Sequence, residues 1–417
     1  MRRRALAVPI LALALLNGCG AGSLSVPSVG RPAGGARSQP HPQPAPSQPT
    51  GAVIHLQGEG GITTVALAGT GRWDAPGGIA TPDWTTIFTV AGGQLRTLDG
   101  VTGAVRASQP VAAELRPVVS SPDGQFVALA DTPVRIGQSV FPPGRTRSTI
   151  VVAPASPASG QARTIELDGN IVPEAFSTDH TRLFVIEFLP PAKPDRYRVR
   201  SVDIASGALG PVYTFDKDID TEIMQGLSRT QVFVPNGTFG QMLYTLYSRA
   251  DGPNAGYGEL HALSLGGGLV HCTDFPPALQ IGPNGGAIAA SPDGQRVYVA
   301  SRNGTLAEVD ASGSSSAEFP IARTAQLTVT TPATVALAAD QQHLWVALGT
   351  TLYGLDAATL TVVSTVTMRE TVQALTVSAG GALYAASSTS VDRVDRASSF
   401  IAPVSGLNVA PSRIGVV

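Results

Sequence analysis

One phrase recurs along this chain, a tight turn followed at once by a strand, and it narrows the possible folds more than any composition figure does. Its clearest copies are Ser121-Pro-Asp-Gly-Gln-Phe-Val-Ala-Leu-Ala130 and Ser291-Pro-Asp-Gly-Gln-Arg-Val-Tyr-Val-Ala300. Looser copies run Thr81-Pro-Asp-Trp-Thr-Thr-Ile-Phe-Thr-Val90, Ser177-Thr-Asp-His-Thr-Arg-Leu-Phe-Val-Ile186 and Ala339-Asp-Gln-Gln-His-Leu-Trp-Val-Ala347. Two more are degenerate, around Gly237 and Gly380. In this phrase Pro fixes φ, Asp hydrogen-bonds the nearby backbone, and Gly accepts positive φ. The β-branched and aromatic residues that follow favour a strand.

A second phrase often follows ten to fifteen residues later, as in Leu95-Arg-Thr-Leu-Asp-Gly-Val-Thr-Gly-Ala-Val105 and Leu352-Tyr-Gly-Leu-Asp-Ala-Ala-Thr-Leu-Thr-Val362. It reads as strand, Asp-opened turn, strand. Together the two phrases describe a four-stranded antiparallel meander. The markers Asp83, Asp123, Asp179, Gly237, Asp293, Asp340 and Gly380 are separated by 40, 56, 58, 56, 47 and 40 residues. Four strands per period of about 40–50 residues is the pattern of a propeller blade, with loop insertions where the interval lengthens. A sandwich would not repeat one phrase seven times, and a parallel β-helix has a much shorter period. The expected fold is therefore all-β, a β-propeller of four-stranded antiparallel blades, seven in number. Closing the ring removes sheet edges. The strand Ile62–Ala68 is expected to do this by pairing beside Val391–Ile401 in the last blade.

These phrases resemble the YVTN-type repeats of bacterial seven-bladed propellers, over about residues 60–400. That superfamily includes quinoprotein amine dehydrogenase-like and lactonase-like propellers. The resemblance implies the fold far more than an activity, because propellers host many unrelated functions.

The first residues carry a different kind of information. Met1-Arg2-Arg3-Arg4 precedes an apolar run of 12 residues, Ala5–Leu16. A spanning helix needs about 20, so the run reads as the h-region of a signal peptide. It ends in Leu16-Asn17-Gly18-Cys19, which resembles the bacterial lipobox. The resemblance implies cleavage after Gly18 and lipidation of Cys19, the new N-terminus; Asn17 stands where a smaller residue is commoner. Residues 1–18 are thus read as a lipoprotein signal peptide, 19–52 as a tether and 53–417 as the propeller. Between Gly20 and Gly51 lie seven prolines, no aromatic residue and two charges, Arg31 and Arg37. Such a segment favours polyproline II and acts as a spacer. The expected location is the cell envelope, on the extracytoplasmic side of a membrane. With Cys19 lipidated, Cys272 is left without a disulfide partner in the chain.

Composition limits the function classes. Net charge is −2 and charged residues make up 14% of the chain, so the basic footprint that captures nucleic acid is missing. There is no glycine-rich phosphate loop, no Cys-x-x-Cys and no His-Glu-x-x-His. No catalytic residue and no cofactor is expected. The six histidines read as ordinary loop or strand residues, and Cys272 as a half-buried, inert thiol on a strand. Trp73, Trp84 and Trp345 read as packing between blades. One metal candidate is Asp216, Asp218, Asp220 and Glu222, whose alternation would put four carboxylates on one strand face, suited to Ca²⁺. The stretch Asp251–Gly258 reads as a long hairpin loop that could carry recognition. The leading functional reading is a monomeric, membrane-anchored binding or scaffolding module with a protein or glycan partner. The alternatives are a lactonase- or quinoprotein-like enzyme and an envelope sensor or carbohydrate-binding module. The side chains lining the central channel would separate them.

Overall fold

Each turn phrase becomes the first hairpin of a four-stranded antiparallel sheet. Two of the phrases show why. Ser121 Oγ donates to Asp123 Oδ1 at 2.7 Å, Gln125 N–H donates to the same oxygen at 3.1 Å, and Phe126 N–H donates back to Ser121 Oγ at 2.9 Å. The same bonds recur at Ser291, Asp293, Gln295 and Arg296. The residue after the Asp needs positive φ, and Gly124 and Gly294 supply it at 71° and 69°. The second phrase is as local. Asp99 Oδ1 accepts from the N–H groups of Val101 and Thr102 and from the Thr102 hydroxyl, turning the chain into the outer strand.

The computed structural model describes residues 51–67, 71–131, 141–213, 226–248, 258–268, 270–276, 279, 286–313, 319–394, 400–405 and 410–417. Blade 1 holds β1 (Val53–Gly58), β2 (Gly61–Ala66) and β3 (Arg72–Pro76). Blade 2 holds β4 (Ile79–Ala80), β5 (Thr86–Ala91), β6 (Gln94–Asp99) and β7 (Val105–Pro110). Blade 3 holds β8 (Arg116–Ser120), β9 (Phe126–Ala130), β10 (Arg147–Pro154) and β11 (Arg163–Asp168). Blade 4 holds β12 (Asn170–Phe176), β13 (Arg182–Leu189), β14 (Arg196–Asp203) and β15 (Leu209–Val212). Blade 5 holds β16 (Leu227–Gly237), β17 (Gly240–Ser248), β18 (Gly258–Ser264) and β19 (Val270–Phe275). Blade 6 holds β20 (Gly286–Ala290), β21 (Arg296–Ser301), β22 (Thr305–Asp310) and β23 (Ile321–Gln326). Blade 7 holds β24 (Val335–Ala339), β25 (His343–Leu348), β26 (Thr351–Asp356) and β27 (Val362–Thr367). Blade 8 holds β28 (Ala374–Val377), β29 (Leu383–Ala386), β30 (Ser390–Val394) and β31 (Phe400–Ser405). The last strand, β32 (Arg413–Val416), joins blade 1. First strands of neighbouring blades pack on one another along the inner wall of the ring, β4 on β8, β8 on β12, and β16 through β20, β24 and β28 to β32. Among the described residues no helix is long and apolar enough to cross a membrane.

The core lies between the blades. Alternation along a single strand divides its side chains between two interfaces. On β21, Val297 and Val299 join Val234, Tyr244 and Leu260 of blade 5, whereas Tyr298 and Ala300 join Leu344 and Val346 of blade 7. Both faces of a middle strand are therefore apolar, and each fully buried Val or Leu there contributes roughly 1.5–3 kcal/mol.

Two expectations need correcting. The ring has eight blades rather than seven. The turn phrase joins the first strand of a blade to its second, and in blade 1 those strands are β32 and β1, the two ends of the domain. No turn connects them, so seven phrases mark eight blades. Closure also differs from the expected pairing. Ile62 lies on β2, which pairs with β1 and β3 and not beside Val391–Ile401. Blade 8 is complete with its own four strands. The N- and C-terminal strands do share a blade: β32 pairs antiparallel with β1, Leu56 opposite Ile414.

Candidate functional site

The inner strands β32, β4, β8, β12 and β16 line a cavity of about 1280 Å³, which opens from the central channel and extends over blade 1 as far as its outer strand β3. Much of its wall is glycine, proline and aliphatic, as in Gly77-Gly78 before β4 and Pro117-Val118-Val119 on β8. Among the described residues, six charged side chains line it: Glu59, Arg72, Asp74, Arg116, Glu174 and Arg413. Arg72 and Asp74 pair with each other at 3.3 Å, and Asp74 also accepts from the Thr63 hydroxyl at 2.6 Å. Arg116 donates to the carbonyls of Ala113 and Leu115 and pairs with no carboxylate among the described residues.

Arg413 belongs to a clasp at the ring-closing blade. Its guanidinium lies over the Trp84 ring at 4.4 Å and donates to the Pro82 carbonyl at 3.0 Å. His55 of β1 stacks on Trp84, with 5.3 Å between centroids and 3° between planes. The fully buried His55 ring bonds Thr64 Oγ1 through Nδ1 at 2.8 Å. Burial first, then the Arg413 charge, lowers its pKa to about 4. Burial lowers Arg413 itself to about 10. Trp84 occupies the turn position filled by glycine in blades 3 and 6, at φ 62°. A side chain is strained there. The stack on His55 and the cation–π contact, which is worth about 2 kcal/mol when desolvated, offset that strain.

Glu174 has a different origin. In β12 the register shifts between Pro173 and Ala175, so Glu174 is the extra residue of a β-bulge. The bulge turns a carboxyl into the wall of the channel while leaving it buried, 6% exposed. Oε1 accepts from the Tyr247 hydroxyl at 3.2 Å, and Oε2 has no hydrogen-bond partner among the described residues. Burial raises its pKa to about 7, against the smaller opposing effect of the Tyr247 bond. Glu174 is thus part-protonated near neutral pH.

Several sequence-predicted residues fall elsewhere. Cys19 lies outside the described residues, as do Asp216, Asp218, Asp220, Glu222 and most of the 251–258 loop. The three tryptophans pack between blades: Trp73 and Trp84 between blades 1 and 2, Trp345 between blades 7 and 8. Cys272 is half-buried on β19, as its alternating neighbours suggested, but it is not isolated: His261 lies directly opposite on β18. Sequence reading missed this pair, Glu174 and His55. The signal for the pair was Glu259-Leu-His261 followed by His271-Cys272 on successive strands of one meander. For Glu174 the signal was a carboxylate in an otherwise apolar strand, Ile171-Val-Pro-Glu-Ala-Phe176.

No protein-family model matches the sequence, and no curated protein does. Solved structures do. The yeast Saccharomyces cerevisiae protein Sqt1 superposes with a TM-score of 0.52 at 11% identity, over 79% of this chain and 85% of Sqt1. The fold is that of a WD40-like propeller. AztD from Citrobacter koseri, solved as the apo protein, aligns at 11% identity and a TM-score of 0.40 over 77% of this chain and 95% of AztD.

Proposed function

We propose that this chain is a bacterial envelope lipoprotein whose propeller, of the YVTN type, binds a protein partner at the central channel. Signal peptide 1–18, lipidated Cys19 and the proline-rich tether would hold the propeller off an extracytoplasmic membrane surface. The observation that carries the binding reading is the cavity of about 1280 Å³, larger than an ordinary small-ligand pocket of roughly 300–1,000 Å³ and walled largely by glycine, proline and aliphatic residues. Arg116 and Arg413 favour a partner segment that presents carboxylates or backbone carbonyls. The protein acts as a monomer in this reading, without nucleic acid. One observation favours the enzyme alternative: a buried carboxyl in the channel with a pKa of about 7, Glu174, is suited to acid–base work.

Two experiments test the proposal. Cys19→Ala is expected to move the protein from the detergent phase to the aqueous phase in phase partitioning, and a variant that stays with the detergent overturns the anchor. A photoreactive phenylalanine analogue placed at Val118, in the channel, is expected to cross-link an envelope protein. The same probe at Val363, 59% exposed on an outer strand, is expected to capture none. The opposite pattern would move the binding surface off the channel.

A further inference from the structure

We propose that Glu259, His261 and Cys272 form a site for one divalent transition-metal ion of the zinc kind, in blade 5 and away from the channel. The pleat brings them together. His261 and Cys272 are direct cross-strand partners on β18 and β19, so their side chains leave the sheet on the same face. Glu259 lies two residues before His261 and shares that face. One carboxylate oxygen, one imidazole nitrogen and the thiol sulfur all lie within 4.8 Å of one another. Sγ and Nδ1 are 3.6 Å apart. Zinc–sulfur and zinc–nitrogen bonds of about 2.3 and 2.0 Å meeting at a tetrahedral angle separate those two ligand atoms by about 3.5 Å.

The donor set chooses the ion. Magnesium and calcium take oxygen ligands, whereas a thiolate beside an imidazole selects zinc and its neighbours. Three protein ligands leave a fourth tetrahedral position for water. His261 is fully buried, and Glu259 and Cys272 are half-buried, so the site is anchored in the sheet and partly open to solvent. The surroundings are built too. Tyr247, opposite Glu259 in the register with β17, meets the His261 ring edge-to-face at 5.9 Å. Tyr197, from β14 of blade 4, stacks against Tyr247 with 4.9 Å between centroids. The Tyr197 hydroxyl is buried, has no hydrogen-bond partner among the described residues, and feels the charges of Glu259 and Cys272. A metal-bound water or thiolate beside it would give that hydroxyl an acceptor.

The alternative is a plain S–H···N hydrogen bond of the same length, and cobalt separates the two. The full chain carrying Cys19→Ser has Cys272 as its one cysteine. Stripped of metal, reduced and titrated with Co²⁺, it is expected to bind one equivalent with a thiolate-to-cobalt charge-transfer band in the near ultraviolet. Zn²⁺ should displace the cobalt and slow alkylation of Cys272 by iodoacetamide. Cys272→Ser is expected to abolish the band, and Glu259→Gln, which keeps the thiol and the buried histidine, to weaken binding by at least the roughly 10–100-fold that losing an outer-shell partner of a ligand costs. A reduced protein that gives no charge-transfer band, an alkylation rate indifferent to Zn²⁺, or Co²⁺ affinity unchanged by Glu259→Gln each overturns the site.

Discussion

His55 and Glu174 sit on opposite sides of the same pH window and act against each other. His55 titrates at about 4 when folded and near 6.5 when unfolded, so the unfolded chain holds its proton more tightly. Its contribution to stability is complete above pH 6.5 and is lost as pH falls towards 4. Glu174 titrates at about 7 when folded and near 4.5 when unfolded. Its contribution is complete below pH 4.5 and is lost as pH rises through 7. Each swing amounts to about 3 kcal/mol. In the parent protein the two slopes nearly cancel between pH 4.5 and 6.5. Denaturant melts across pH 4–8 should unmask them singly. His55→Gln is expected to lose stability as pH rises, and Glu174→Gln to gain it up to 6.5 and to exceed the parent at pH 8. Variants that both keep the parent profile would remove these two residues from the account. Neither was legible in the sequence. His55 is buried by two tryptophans from other hairpins, and Glu174 reaches the channel only through a bulge that no local pattern announces.

At the scale of the element, the turn and the closing strand make different demands. Asp123 accepts from Ser121 and Gln125 in its own turn and pairs with His180 of the next blade's turn at 3.1 Å. Asp123→Ala is expected to cost about 1–2 kcal/mol by denaturant midpoint. The exposed neighbour pair Asp195–Arg196 serves as a control, because Asp195→Ala should cost under about 0.5 kcal/mol. The closing strand is more sensitive. A Cβ at Gly415 would collide with the Trp84 indole, so Gly415→Ala is expected to destabilise by about 1–3 kcal/mol. Deleting residues 411–417 removes β32 and uncovers the inner edge of β1. The expected product on a sizing column is self-associated protein, since an unpaired edge recruits strands; a well-behaved monomer would show that β32 is not the fastener. The turns were readable because four adjacent residues satisfy their own hydrogen bonds. The pairing of β1 with β32 was not readable, because its partners are separated by nearly the whole domain and share no local signal.

At the scale of the whole molecule, stability is spread over interfaces between neighbouring blades. A Val on a middle strand serves one interface and the next residue serves the other, as Val299 and Ala300 do. Substitutions in blades far apart, such as Val299→Ala and Ile150→Ala, are expected to add within about 0.5 kcal/mol, whereas pairs across one interface should not. The sequence alone determined the repeating unit: turn, strand and Asp-opened hairpin follow from φ preferences, Asx bonds and strand propensity, all acting within about a dozen residues. From it the propeller followed. Only the tertiary structure decided the number of blades, the strand that closes them, and which acidic, imidazole and thiol groups meet. Those depend on contacts between segments far apart in sequence, and on one blade in which the domain's first and last strands replace the turn that marks the other seven.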